Sequence, residues 1–191
     1  MKRVILASAS PRRRMLLEQA GLEFEIMVSE ASEDISGKSP EDTVKELSRR
    51  KADSIDALAD GDCIILAADT VVACDCVILG KPHDEEDAVR MLRMLQGRTH
   101  QVYTGVTILE GGKSRRKADT FAVCTNVTMY EASDMEIKHY IESGEPADKA
   151  GAYAIQGKGF YFVKEIHGDY NNVVGLPTLA IREIVRRSGL L

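Results

Sequence analysis

The most apolar run of the chain, residues 63–72, contains a single charged side chain, Asp69. A run of this kind predicts a buried strand. A buried carboxylate is costly unless hydrogen-bond donors, a cation or a metal ion compensate for the lost water. One interpretation is that Asp69 and Thr70 form a capped bend between two strands. We favour the other, in which Asp69 belongs to a polar site shared with basic residues elsewhere in the chain.

A second short apolar run, residues 4–7, is followed by a predicted helix start. Ser10 is placed as the N-cap and Pro11 as the first helical position, and we expect this helix to run to about Gly21. A strand therefore meets a helix N-terminus at a tight turn, where free backbone N–H groups favour anions.

Three arginines occupy the first turn of this helix, where the helix dipole disfavours cations. Together with two serine hydroxyls, arginine forks are suited to binding phosphate oxygens. The alternative is an ordinary capped helix with solvated arginines, which we accept for Arg14, paired with Glu18. The four residues predicted to form an anion site are Ser8, Ser10, Arg12 and Arg13.

A third basic candidate, Lys51, lies on the apolar face of a helix predicted to begin at Ser39 and Pro40 and to end near Ala59. A lysine in this position either extends past the apolar surface to water or reaches a buried anion. We favour the anion. The apolar face consists of Val44, Leu47, Ile55 and Leu58.

The remaining pattern alternates strands and helices early and is rich in strands in the middle. We predict an α/β fold: a mixed, twisted sheet with flanking helices, in a single domain over residues 1–191. Strands are predicted at 22–28, 77–79, 98–109, 120–129 and 160–166, with short strands on both sides of Gln156, and helices at 84–97, 134–143 and 178–188.

Net charge and the N-terminal segment restrict the partners and the compartment. A net charge of −5 argues against a nucleic-acid polymer as partner, since such proteins usually carry a basic face. The first residues match neither a signal peptide nor a membrane span, so we expect a cytoplasmic protein that does not bind membranes.

Five motifs, in order, resemble those of the Maf family of nucleoside triphosphate pyrophosphatases. They are S-A-S-P-R-R at 8–13, A-A-D-T at 67–70, G-K-P at 80–82, A-I-Q-G at 154–157 and N-V-V-G-L-P at 172–177. Each motif alone is weak, but five in the expected order and spacing are specific. The resemblance covers essentially the whole chain.

The resemblance implies an α/β fold shared with the inosine triphosphatases, usually dimeric. It also implies hydrolysis of a nucleoside triphosphate between the α and β phosphates, with Mg²⁺ or Mn²⁺, to a monophosphate and pyrophosphate. Arg12, Thr70 and Gln156 match the branch that acts on dTTP and UTP. Modified pyrimidine nucleotides, and thus a house-cleaning role, are left open. The alternative is a nucleotide-responsive regulator of septum formation and cell division, in which hydrolysis is incidental.

The resemblance also assigns roles to residues. Asp69 is the proton acceptor for the attacking water, and Glu33, in an acidic loop, is expected to help Asp69 hold the metal ion. Thr70 and Gln156 are expected to read the base, because a carboxamide matches the donor and acceptor edge of uracil or thymine. The residues expected to contact the phosphates are Ser8, Ser10, Arg12, Arg13, Lys51 and Lys81.

Overall fold

The computed structural model of the chain describes residues 2–32, 38–111 and 117–190. The strands are β1 (Arg3–Leu6), β2 (Glu25–Ile26), β3 (Cys63–Cys74), β4 (Val77–Leu79), β5 (Thr99–Gly111), β6 (Lys117–Met129) and β7 (Val163–His167). The helices are α1 (Pro11–Gln19), α2 (Pro40–Asp56), α3 (Glu85–Leu95), α4 (Asp134–Glu142), α5 (Tyr170–Val174) and α6 (Thr178–Ser188). Three 3₁₀ turns lie at Glu145–Asp148, Ala150–Ala152 and Gly157–Phe162.

The strands form a mixed sheet in the order β2-β1-β3-β5-β6-β7, with β4 paired to β3. β1 runs parallel to both β2 and β3, whereas β4 is antiparallel to β3 and β7 is antiparallel to β6. The predicted α/β class, with a mixed sheet and helices packed on it, is confirmed. No helix in the described ranges combines the length and the apolar character that crossing a bilayer requires.

The chain is organised in two compact units. Unit 1 comprises Met1–Asp69, Thr104–Val123 and Gly175–Leu191, and unit 2 comprises Thr70–Tyr103 and Cys124–Val174. In unit 1, α2 contributes Ala52 and Ile55 to a buried cluster with Ile5 and Ile65. In unit 2, a buried cluster joins residues of β3 to β6 with α3 and α4. A single domain over the whole chain stays a prediction.

Helix starts follow local capping chemistry. The Ser39 hydroxyl accepts a hydrogen bond from the Asp42 N–H at 3.1 Å, and the Asp84 carboxylate accepts one from the Asp87 N–H at 2.8 Å. At α4, Ser133 and Glu136 form a reciprocal capping box. Because such caps depend only on residues close in sequence, these starts agree with the predictions.

Several elements differ from prediction because tertiary contacts decide them. Leu58, expected on the buried face of α2, is 68% exposed, since α2 ends at Asp56 and the chain leaves the helical repeat. The strand predicted over residues 22–28 is reduced to Glu25–Ile26, the length that pairs with β1. The prediction of short strands on both sides of Gln156 is wrong, because 3₁₀ turns flank this residue. The loop before the last helix contains α5, which was not predicted.

Candidate functional site

The buried carboxylate and the lysine predicted to reach an anion are each other's partners. Lys51 Nζ lies 2.5 Å from Asp69 Oδ1, and the two side chains are 12% and 13% exposed. The lysine thus compensates for the desolvation of the carboxylate. The second oxygen of Asp69 has no hydrogen-bond partner within the described residues, so it can accept a proton or a donor from a ligand.

The positions of the two residues follow from strand alternation and helix packing. In a continuous strand Asp69 shares the face of Ile65 and Ala67, which pack in the cluster containing α2. α2 approaches the sheet closely at Gly105 of β5: a Cβ there would lie 2.1 Å from the Val44 carbonyl oxygen. One turn further along, the Ser48 hydroxyl lies 3.0 Å from that of Thr107. These contacts fix the helix that carries Lys51.

The turn between β1 and α1 is held by the side chains of Ser8 and Arg13. Ser8 is buried, and its hydroxyl oxygen accepts hydrogen bonds from the Ser10 N–H at 3.2 Å and from Arg13 at 3.1 Å. Arg13 also donates from Nε to the Gly175 carbonyl at 2.7 Å. The structure therefore brings the S-A-S-P-R-R and N-V-V-G-L-P motifs together, with Arg13 joining them.

The side chains of Ser10 and Arg12, unlike those of Ser8 and Arg13, make no hydrogen bond within the described residues. Ser10 occupies the N-cap position predicted for it and Pro11 follows as the first helical residue, but the Ser10 side chain makes no capping hydrogen bond. Arg12 makes no hydrogen bond or ion pair within the described part of the chain. Its guanidinium is available to an anion, whereas Arg14 pairs with Glu18 at 2.7 Å as predicted.

In unit 2, the structure places Lys81 and Gln156 on neighbouring segments. The Gly151 N–H donates to the Gly80 carbonyl at 3.0 Å, which joins the G-K-P turn to the segment before Gln156. Lys81 is exposed and Gln156 half-buried, and neither side chain has a hydrogen-bond partner among the described residues. Thr70 is half-buried and, in a regular strand, faces away from the side that Asp69 occupies. Its role in reading the base stays a prediction.

A buried polar pair anchors the start of the Gln156 segment. His100 is fully buried on β5, and its Nε2 lies 2.7 Å from the Tyr153 hydroxyl. Burial lowers the pKa of His100 to about 4, so the ring is neutral near pH 7. Burial likewise raises the pKa of Tyr153, so the phenol stays protonated. This contact holds the His100 ring in one orientation.

Potential metal ligands do not cluster in the described part of the chain. No group of three histidine, cysteine, aspartate or glutamate side chains there is close enough to hold an ion. Glu33, predicted as a metal ligand, lies outside the described residues. Mg²⁺ is usually bound by one or two carboxylates together with substrate phosphates. Asp69 alone therefore fits an ion that arrives with a nucleotide, but not a site built of protein ligands only.

Two open cavities lie apart from the residues discussed above. One, of about 510 Å³, is lined by Lys38, Lys45, Thr120 and neighbours, and the other, of about 600 Å³, by residues around Gly97 and Ala132. Their linings contain oppositely charged side chains and none of the predicted site residues. The chemistry is therefore better located by the motif residues than by cavity size.

Comparison with known proteins decides the family. The model of the family described as "Maf-like protein" matches residues 3–188. The chain belongs to the Maf family.

Relatives of this Maf protein include two named "dTTP/UTP pyrophosphatase". One, from Agathobacter rectalis (strain ATCC 33656), is 47% identical and covers 100% of this chain and 99% of its own length. The other, from Bacillus cereus (strain G9842), is 51% identical and covers 93% and 91%. Among solved structures, the Staphylococcus aureus Ham1 protein is 14% identical with a TM-score of 0.44, covering 82% of this chain and 88% of its own.

Two residues of the Maf protein were not singled out from the sequence. Gly175 was quoted only as part of a motif, yet its carbonyl is the acceptor that orients Arg13. Asn172 is fully buried and donates to the Val102 carbonyl and the Thr125 hydroxyl, both at 3.0 Å. Asn172 directly precedes an apolar run, residues 173–177, but nothing local in the sequence indicates its partners, which are far away along the chain.

Proposed function

We propose that this Maf protein is a nucleoside triphosphate pyrophosphatase that hydrolyses dTTP and UTP to the monophosphate and pyrophosphate. The observation that carries the proposal is its identity of about half, over nearly the full length, to relatives named "dTTP/UTP pyrophosphatase". These names favour an enzyme over the alternative of a nucleotide-responsive regulator. Modified pyrimidine nucleotides are the related substrates to include in tests.

In the proposed reaction Asp69 acts as the base. Its free carboxylate oxygen accepts a proton from a water whose oxygen attacks the α-phosphorus. The bond from the α-phosphorus to the bridging oxygen of the β-phosphate breaks, and pyrophosphate leaves with the electron pair. Lys51, at 2.5 Å from Asp69, holds the carboxylate in one orientation.

Phosphoryl transfer depends mostly on positioning and on neutralising charge. Arg12, which has no partner within the described residues, is the side chain we expect to bind phosphate directly. Ser8 has its hydroxyl proton left to donate, and Ser10 lies at the N-terminus of α1. Arg13 supplies charge and holds the turn. We propose that Lys81 adds a further cation.

Recognition of the base is assigned to Gln156 and Thr70. The Gln156 carboxamide is unengaged within the described residues, so its donor and acceptor are both available to uracil or thymine. A site built to hydrogen-bond one base edge rejects bases with another pattern, because its polar groups are then left unpaired.

We further propose that the nucleotide binds with Mg²⁺ or Mn²⁺, held by Asp69 and Glu33 together with the phosphates. When bound, such an ion neutralises charge on the phosphate oxygens. A homodimer in the cytoplasm is also proposed. The metal ion and the homodimer are supported by the motif resemblance.

The test is hydrolysis of a nucleoside triphosphate panel with Mg²⁺ or Mn²⁺, resolving pyrophosphate from orthophosphate, for the wild type and Asp69→Asn. We expect pyrophosphate from dTTP and UTP first, with a loss of about 10²–10⁴-fold in kcat for Asp69→Asn. Near-full turnover in that variant would remove Asp69 as the base. Tight binding without turnover by the wild type would favour the regulator.

A further inference from the structure

The turn that carries Gln156 is tied down on both sides by one carboxylate and one phenol. Glu145 accepts hydrogen bonds from the backbone N–H groups of Lys158 and Gly159, each at 2.9 Å. It also accepts one from the Tyr140 hydroxyl at 2.9 Å. The Tyr140 oxygen in turn accepts from the Ala154 N–H at 3.2 Å. The anchored N–H groups lie two residues before Gln156 and two and three residues after it.

Two glycines allow the turn to lie against this pair. Gly157 has φ +74°, and a Cβ there would lie 2.5 Å from Glu145 Oε2. A Cβ at Gly159 would lie 2.3 Å from the Ala154 carbonyl oxygen and 2.5 Å from the Tyr140 hydroxyl. Real Cβ atoms do not approach so closely, so the backbone that follows Gln156 packs directly on these oxygens.

The charge state of Glu145 suits this role. Burial raises the pKa of Glu145, but the hydrogen bonds from the N–H groups of Lys158 and Gly159 lower it. Together with the other hydrogen bonds and charges nearby they outweigh burial, so the pKa of Glu145 lies below its ordinary value. The pKa of Tyr140 is raised by burial and by its bond to Glu145, so the phenol keeps the proton it donates. An ionised carboxylate, an acceptor only, matches three converging donors.

The Gln156 side chain makes no hydrogen bond to either anchor or to any other described residue. A carboxamide turned by 180° exchanges donor and acceptor, so distinguishing thymine from cytosine requires the side chain to be held in one pose. Holding the backbone that bears it is the first requirement. Glu145 and Tyr140 meet that requirement through hydrogen bonds to the backbone, and the amide of Gln156 stays available to the base.

We propose that Glu145, together with Tyr140, is a positioning residue for base selection: its carboxylate fixes the turn that presents Gln156 to the pyrimidine ring. The inference rests on the proposed function, because it needs Gln156 to read the base.

The experiment compares kcat/KM for dTTP and dCTP in Glu145→Gln, Tyr140→Phe, Gln156→Ala and the double variant Glu145→Gln/Gln156→Ala. In the wild type, the donors that face residue 145 meet carboxylate oxygens. A glutamine at this position replaces one of these oxygens by an NH₂ group, which cannot accept their hydrogen bonds, so the turn must move. Misplacement of about 1 Å typically costs up to 10²-fold, so we expect dTTP preference to fall roughly tenfold to hundredfold in Glu145→Gln. The loss should appear in KM more than in kcat, and Tyr140→Phe should change both in the same direction.

The double variant separates positioning from general loss of structure. If Glu145 acts through Gln156, Glu145→Gln lowers the preference no further once Gln156 is alanine. Asp119→Asn is the matched control: it removes a carboxylate 2.6 Å from Arg187 in unit 1 and should leave the preference unchanged.

Wild-type preference in Glu145→Gln overturns the inference, as does an equal loss in the Gln156→Ala background or in Asp119→Asn. If Glu145→Gln does not fold, Tyr140→Phe decides, and unchanged preference there overturns the inference. A wild type that releases no pyrophosphate from any nucleotide removes the proposed function and the inference with it. If the wild type is active and prefers dTTP, and Glu145→Gln keeps the same preference, the inference is overturned while the proposed function stands.

Discussion

The ion pair between Lys51 and Asp69 makes a quantitative prediction about stability. The two side chains are 12% and 13% exposed, and their charged atoms lie 2.5 Å apart. Removing one partner of a buried pair leaves a charge with neither water nor a counter-ion and costs about 3–5 kcal/mol. Because some exposure remains, we expect Lys51→Met and Asp69→Asn each to lower the free energy of unfolding by about 3 kcal/mol.

The chain contains a matched exposed pair. Arg14 and Glu18 lie 2.7 Å apart on α1 and are 58% and 50% exposed. Exposed pairs four residues apart on a helix contribute only about 0.3–0.5 kcal/mol. The two pairs have similar distances, so the difference between them isolates the effect of burial.

The assay is urea unfolding of the two single variants and the double variant of each pair, analysed as a double-mutant cycle. Lys51 makes contacts besides Asp69, and the cycle removes their contribution. We expect a coupling energy of about 2 kcal/mol for Lys51 and Asp69, against at most about 0.5 kcal/mol for Arg14 and Glu18. Added salt should weaken the exposed pair more.

A coupling energy for Lys51 and Asp69 no larger than that of Arg14 and Glu18 would refute this reasoning. So would single variants that unfold at the wild-type urea concentration. Either result would mean that the carboxylate is stabilised by something other than the lysine, and the position of Asp69 in the proposed mechanism would need another explanation.

Two further predictions concern His100 and Gly105. Burial lowers the pKa of His100 from 6.5 to about 4, so in that interval only the unfolded chain binds the proton. The contribution of neutral His100 to the free energy of unfolding is therefore present above pH 6.5, and stability should fall by about 2 kcal/mol between pH 7 and 5. Urea titrations should show this loss of stability in the wild type but not in His100→Gln. An equal loss in both proteins would contradict the prediction. Gly105→Ala places a Cβ 2.1 Å from the Val44 carbonyl oxygen, which should destabilise the protein by roughly 1–3 kcal/mol and lower kcat/KM by moving α2. Thermal melts should place it well below Gly80→Ala, whose Cβ meets nothing within 4 Å, and equal melting temperatures would rule the prediction out.

Much of the candidate site could be predicted because its signals are local or chemical. Lys51 on an apolar helix face and Asp69 in an apolar strand each needed a partner, and the structure pairs them. The start of α1 at Pro11 likewise followed from the Ser-Pro pair. The metal ligand Glu33 lies outside the described residues, so the metal site stays a prediction.

The region around Gln156 could not be predicted, because its conformation depends on residues distant in sequence. Small apolar residues there resemble strand residues, yet they form 3₁₀ turns held by Tyr140 and Glu145. Leu58 was misplaced for a similar reason, since the end of α2 ends the helical repeat that would have buried it.

The α/β class, the helix starts, the Maf motifs and the residues that need a counter-charge could all be predicted from the order of the residues. These depend on periodicity, on neighbouring residues and on the cost of burying charge. The folded chain was needed to show that Arg13 binds the Gly175 carbonyl and that Glu145 holds the Gln156 turn. Such contacts join segments separated by many residues, and no local pattern records which donor will meet which acceptor once the chain has folded.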